Sequence, residues 1–347
     1  DLGLFGLTIP EEFGGSGVDT MTYALVVEEL ARGWMSLTGV LNTHFLVAHM
    51  IDSFGTLDQR EHFLTAMASG DKRAAVAITE PDAGTDVQSI QTRAERQGDE
   101  YSVNGSKMYI TNGARAELIA IVCKTDPAAV PPRNGMSILI GERGPGLDVI
   151  RSIPKLGYRG VETVEIGLSD FRVPVTNLLG AEEGRGFVHI MTGLELGRVN
   201  VAERAVGVAR AALEDATKYA QQRVTFGKPI AEHQAIQMKL ADMATQIQAA
   251  HLMVMHAAER KNAGKRVDLE AGMAKLYASE MCLFVATEAM RIHGGAGYTQ
   301  DISVERYFRD APLMIIGEGT NEIQRQVIAR NLLKSHPTGD FLFGDEL

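Results

Sequence analysis

Basic clusters, cysteines and long apolar runs are scarce in this 347-residue sequence. Lys and Arg number 34 against 44 Asp and Glu, giving a net charge of −10, and no Lys/Arg run could track a phosphate backbone, which argues against nucleic acid as a partner. The two cysteines, Cys123 and Cys282, each sit in an apolar stretch (IAIVCKT, SEMCLFVA), the pattern of buried thiols and not of a disulfide framework. No apolar run reaches the length of a membrane span, and DLGLFGLTIPEEFGG lacks the basic and apolar regions of a signal peptide. The expectation is an intracellular protein without a membrane span, cytoplasmic in a bacterium or in the mitochondrial matrix of a eukaryote. The abrupt start, two residues before an apolar segment, suggests that earlier helices precede it.

What is present falls into three zones. Residues 1–72 read as helical, because TMTYALVVEELARG, SLTGVLNTHFLVAHMIDSFG and LDQREHFLTAMASG space apolar residues three and four apart and end on Gly. Residues 73–181 hold seven of the eleven prolines and short β-branched runs such as AAVAIT and LIAIVCK, predicting a β domain. Within it, EYSVNGSKMYIT is read as two strands joined by a type I′ turn at Asn104-Gly105. Residues 182–347 are rich in Ala, Met, Glu and Gln, and runs at 198–222, 231–263 and 268–293 predict helices about 37 to 50 Å long in a bundle.

Familiar site motifs fail. GRGFVH and HGGAGY lack Rossmann spacing, and Gly227-Lys228 is followed by Pro229 and has no upstream phosphate-loop glycine. His44 and His49 are five apart, off the pairing that puts two imidazoles on one metal, so no metal site is expected. The remaining Gly-punctuated polar segments are TEPDAGTD, MYITNG, RVTFGKPIAEHQ, RIHGGAGY and IGEGTNEIQR. Hydroxyls, amides freed by Gly and an Arg can hold a pyrophosphate and a hydrogen-bonding ring. Taken singly, each segment is also readable as an ordinary turn, cap or solvated helix end. Glu318, flanked by Gly317 and Gly319 ahead of a helix, is either a carboxylate open to a ligand or an acid complementing a helix dipole.

In their order, these segments and GLFGLTIPEEFGGSG resemble the acyl-CoA dehydrogenase family along essentially the whole chain. The resemblance implies an α+β fold with an N-terminal helical domain, a middle β domain and a C-terminal four-helix-bundle domain. It implies FAD as cofactor, an acyl-CoA thioester as substrate, an electron-transfer flavoprotein as acceptor, and a homotetramer in which a neighbouring subunit completes each FAD site. By the same resemblance Ile78, Thr79 and Thr85 line the flavin, Thr85 also lies near substrate, and Tyr109, Ile110 and Thr111 contact the isoalloxazine. Arg223, Thr225, Phe226, His233 and Gln234, with Arg291, Ile292, His293, Gly294 and Gly295, come from the partner subunit toward FAD. Thr320 and Glu322 contact FAD beside the base; Glu195, Arg198 and Gly319 lie on the substrate side.

Glu318 is then the catalytic base, removing the α-proton as the β-hydrogen leaves as hydride to flavin N5. Some relatives carry the base at the position matching Gly197, where glycine cannot serve. Tyr109 stands where many have Trp, and Gly317 where many have Tyr, which would admit wider acyl groups. The competing readings are an acyl-CoA oxidase or monooxygenase on the same scaffold and a catalytically silent partner subunit; retention of both Glu318 and Arg223 speaks against the silent one.

Overall fold

Thr56 opens a helix in the expected way: its hydroxyl accepts from the Gln59 backbone N–H, and the Gln59 side chain returns to the Thr56 N–H. Gly70 ends that helix in a left-handed conformation. In the computed structural model, which describes residues 2–335, the preceding helix α1 spans Thr20–Phe54 and the capped one, α2, spans Leu57–Ser69. Gly33 marks the break that the sequence suggests: the next residue, Trp34, has an extended backbone, at which α1 divides into two helical stretches.

Seven strands follow: β1 (Ala74–Ala77), β2 (Arg93–Gln97), β3 (Glu100–Thr111), β4 (Leu118–Lys124), β5 (Met136–Glu142), β6 (Leu147–Ser152) and β7 (Thr163–Pro174). They form one sheet in the order β1-β4-β2-β3-β7-β6, with β5 on β4. Then come α3 (Gly186–Gln222), a hairpin of β8 (Val224–Thr225) and β9 (Lys228–Pro229), α4 (Gln234–Asn262), α5 (Asp268–His293), α6 (Val304–Asp310), α7 (Pro312–Ile316) and α8 (Asn321–Ser335). The helix–sheet–helix order is the one the resemblance implies; part of the proposed last domain, 336–347, lies outside the described residues.

The hairpin reading of Asn104-Gly105 is corrected. β3 runs unbroken through both residues, and the turn lies earlier, at Gly98-Asp99, between β2 and β3. The register against β7 shifts between Val103 and Gly105, so the dipeptide forms a bulge. Gly105 has φ 156°, and a Cβ there would collide with Thr92; Asn104 instead accepts a hydrogen bond from the Asp170 N–H at 2.8 Å. Close packing, and not a reversal of the chain, is what this glycine permits.

The chain folds into two compact units. Among the described residues the first comprises 2–19, 39–155 and 159–196, the second 20–38, 156–158 and 197–335, so α1 contributes to both. In the first, alternation along β4 divides two cores: Leu118, Ala120 and Val122 join Phe63, Leu64 and Met67 of α2, while Ile119, Ile121 and Cys123 join Val103, Ile166 and Phe171. A strand buried on both faces must be apolar throughout, as LIAIVCK is. In the second, buried alanines at 205, 209, 212, 250, 257, 274, 278 and 286 allow the long helices to pack closely.

Lys107, fully buried, ties the loop after β1 to β3: its ammonium donates to the Ile78 carbonyl and to Glu80 Oε1, both at 2.8 Å. Glu80 also accepts from the Gln91 and Thr92 N–H groups at 2.6 and 3.0 Å. Burial alone would raise the Glu80 carboxyl, but Lys107 and these donors hold it below the usual carboxylate range. Its contribution to stability is therefore present above about pH 4.3, the unfolded value, and is lost as pH falls through the lower folded value. Lys107→Met strands Glu80 in an apolar site and is expected to cost about 3 to 5 kcal/mol in denaturant unfolding. It should also flatten the acid limb of stability against pH; an unchanged midpoint and limb would contradict this role.

Candidate active site

Glu318 sits where the chain is least able to relax. α7 ends at Ile316, and the next residues turn sharply: Glu318 has φ 54° and Gly319 φ 88°, two left-handed residues in succession. A non-glycine residue there is sustained only by its surroundings. Thr320 then caps α8, its hydroxyl accepting from the Ile323 N–H at 3.4 Å.

Those surroundings centre on Lys275, an α5 side chain with no solvent exposure. Its ammonium donates to the Gly319 carbonyl and Asn321 Oδ1, both at 2.8 Å, and to the Ile315 carbonyl at 3.2 Å, so it clamps both ends of the turn. Burial lowers its pKa to about 8, against the opposing field of Glu318. Gln324 adds a longer contact to the Gly319 carbonyl.

On α3 the carboxylate of Glu318 occupies the space a Cβ at Gly197 would fill. The residue whose absence of side chain excludes it as a base is thus the one that admits Glu318. Further along the same helix face, Asn200 donates to the Tyr23 hydroxyl at 2.6 Å, and the Arg204 guanidinium donates to Asn200 Oδ1 and, at 3.4 Å, to the Tyr158 hydroxyl. Burial, with the Glu318 field adding to it, raises both phenols, so Tyr23 and Tyr158 remain protonated donors. Arg198, also buried, pairs with Asp268 at 3.5 Å.

In the first unit, the Met108 N–H donates to the Thr79 carbonyl at 2.7 Å, setting the segments that carry Thr79 and Tyr109 side by side. Tyr109 has φ 62° and is 62% exposed, an aromatic face held off the sheet. Asn112 fixes the end of this segment by donating to Thr43 Oγ1 at 2.8 Å and the Val40 carbonyl at 3.0 Å. An exposed aromatic ring on a segment bonded to the Thr79 backbone fits a flat heteroaromatic group.

Three family models cover the chain: "Acyl-CoA dehydrogenase, N-terminal domain" over residues 1–71, the middle domain over 75–171 and the C-terminal domain over 184–333. The chain is 45% identical to the "Probable acyl-CoA dehydrogenase YngJ" of Bacillus subtilis, over 96% of this chain and 88% of that protein. The chain belongs to the acyl-CoA dehydrogenase family. The structure of butyryl-CoA dehydrogenase from Megasphaera elsdenii superposes with a TM-score of 0.93 at 41% identity, covering 96% of this chain and 88% of that one. A chain in the structure titled as the electron transferring flavoprotein of Acidaminococcus fermentans matches at TM-score 0.91 and 42% identity, with 96% and 87% covered. As an acyl-CoA dehydrogenase the protein is an FAD-dependent oxidoreductase.

The sequence-named residues fall into clusters. Glu318, Gly319, Thr320 and Glu322 form the turn and the start of α8, and Arg198 follows Gly197 on α3. Thr225 Oγ1 lies 3.2 Å from His233 Nε2 across the β8–β9 hairpin, the Phe226 ring stands edge-on to His233, and Arg223 and Gln234 flank the hairpin, both exposed. Ile78 and Thr79 are half-buried and Thr85 exposed; Thr111 ends β3. Ile110 lies in the sheet core, and Ile292 and His293 are buried at the end of α5, with Gly294 and Gly295 exposed beyond Arg291. Glu195 is buried in the first unit's part of α3.

Lys275, Tyr23, Tyr158, Asn200 and Arg204 escape a motif search. The polar residues at 200 and 204, three and seven beyond Gly197 and so on the same face of the helix, are the signal that could have found the last two. Glu28, Glu203 and His251 also converge, from three helices; Glu203 is pushed up by burial and by Glu28 beside it, so the two carboxyls share a proton next to His251 and Arg210.

Gly197→Ala is favoured by intrinsic helix propensity, by about 0.5–1 kcal/mol, so any loss reports the displaced carboxylate. Activity should fall by about 100-fold, the scale of a misplacement near 1 Å, with bound FAD retained. Wild-type turnover in this variant would show that Glu318 does not need the space.

Proposed function

We propose that the protein converts an acyl-CoA to its 2,3-enoyl thioester with Glu318 as base, and the carboxylate lodged against Gly197 on a turn clamped by Lys275 is the observation that carries this reading. Glu318 takes the α-proton, its backbone N–H donates to the thioester oxygen as enolate character builds, and the Cα=Cβ bond forms. FAD, when bound, supplies the acceptor for the hydrogen that leaves the β-carbon with its electron pair. Thr79, Thr85, Tyr109 and Thr111 are assigned to the flavin ring, with backbone contributions from Ile78 and Ile110.

Arg223, Thr225, Phe226, His233 and Gln234, and the segment Arg291, Ile292, His293, Gly294 and Gly295, are assigned to the FAD of a neighbouring copy in a homotetramer. Phe226 is 97% exposed and Tyr298 84%, apolar surface that a second copy would cover. Thr320 and Glu322 complete the cofactor contacts beside the base, and Glu195, Arg198, Gly319 and Thr85 those to substrate. An electron-transfer flavoprotein as acceptor is supported by the related chain in the A. fermentans structure.

Glu318→Gln should keep the flavin spectrum and lose turnover by about 10⁴-fold or more, because the shape survives and the base does not. Anaerobic bleaching of the flavin near 450 nm by a panel of acyl-CoAs, reversed by an electron-transfer flavoprotein and only slowly by air, is the direct assay; rapid reoxidation in air would favour the oxidase reading. Arg223→Ala should lower FAD occupancy on gel filtration by removing a charge-assisted contact to the pyrophosphate. Full occupancy would count against that assignment.

A further inference from the structure

Arg204 has no evident counter-ion. Its residue is 4% exposed, its polar contacts are the neutral Asn200 and Tyr158, its Nε–H has no hydrogen-bond partner, and no carboxylate lies within ion-pairing distance among the described residues. A buried guanidinium so placed has lost its hydration and gained no opposite charge in return. The neighbouring cations are accommodated differently: Arg198 has Asp268, and Lys275 has two carbonyls and an amide oxygen. Glu318 is the anion that shares this part of the second unit, and both Tyr23 and Tyr158 lie in the field of Glu318 and of Arg204 together.

The placement has a direction. Arg204 is seven residues beyond Gly197, so the two share a face of α3 about 10 Å apart along its axis. Helical side chains lean toward the N-terminus, which carries the Arg204 head back toward the Glu318 carboxylate. The groups bonded around Arg204 are hydroxyls and amides: Asn200 and Tyr158 directly, and Tyr23 through Asn200. A wall for a plain alkyl chain would not be lined this way.

Resting on the dehydrogenase reading, we propose that Arg204 receives an anionic group at the far end of a short acyl chain, making the substrate a diacid mono-thioester of the succinyl or glutaryl kind. The thioester end meets Glu318, and the distal carboxylate meets the Nε–H edge of Arg204, which has no hydrogen-bond partner. When Glu318 takes the α-proton it becomes neutral, and the distal carboxylate keeps Arg204 paired through the reaction. A neutral acyl group of equal length leaves the guanidinium buried without an anion, which is a basis for rejecting it.

The test compares glutaryl-CoA with pentanoyl-CoA, equal in chain length and different in terminal charge. The wild-type holoenzyme should give the higher kcat/KM with glutaryl-CoA, and Arg204→Gln, which keeps a donor for Asn200, should lower the glutaryl-to-pentanoyl ratio by about 10- to 100-fold, the worth of one charge-assisted contact. Arg204→Lys should restore part of the ratio. A wild-type preference for pentanoyl-CoA, or a variant that loses both substrates equally, would overturn the proposal and leave Arg204 a framework residue. Calorimetric binding of both thioesters to the Glu318→Gln protein, with and without Arg204→Gln, decides the point without turnover: a glutaryl preference abolished by the second change supports the receptor, and equal affinities overturn it. Selective glutaryl-CoA binding in a wild-type enzyme that oxidises neither thioester would sink the dehydrogenation reading and leave the receptor standing.

Discussion

A lysine without water has to find oxygen, and Lys275 finds it at the two ends of one turn. That single constraint fixes the rest of the second unit's chemistry. The Gly319 carbonyl can face α5 only if the backbone passes through left-handed conformations at 318 and 319, and that path delivers the Glu318 carboxylate to α3. Once it is there, position 197 must be glycine. An ammonium, a strained turn and a missing side chain are then one device spread over α3, α5 and the α7–α8 connection, and a change in any part is transmitted to the carboxylate.

The first unit solves an analogous problem with a different balance. Lys107 is as buried as Lys275, but it has a carboxylate partner in Glu80, whose remaining valences are met by backbone N–H groups. The loop that carries Thr79 and Thr85 is thereby held by an ion pair that needs no solvent, whereas the buried cations of the second unit make hydrogen bonds and an ion pair with groups other than Glu318. One carboxylate is charge-paired within the fold, and the other is held on a left-handed turn against Gly197 of α3.

Sequence pattern revealed the helix–sheet–helix order because amphipathic spacing and the all-apolar β4 are properties of contiguous residues. The same locality made Glu318 visible, since its glycines adjoin it. It failed at Asn104-Gly105, where a turn dipeptide serves a bulge whose cause, Thr92, is distant in sequence. Lys275 in an Ala-rich helix reads as a surface cation, and Arg204 as one more charge in a long helix. Their burial is decided by residues 40 or more positions away, beyond the reach of periodicity.

The two cysteines are free and fully buried, Cys123 in the sheet of the first unit and Cys282 in α5 of the second, and burial raises both thiols, Cys123 to about 12. Neither forms appreciable thiolate in the folded state. Alkylation of either one therefore requires its own unit to open, and the native chain carries a separate chemical reporter of local unfolding for each half.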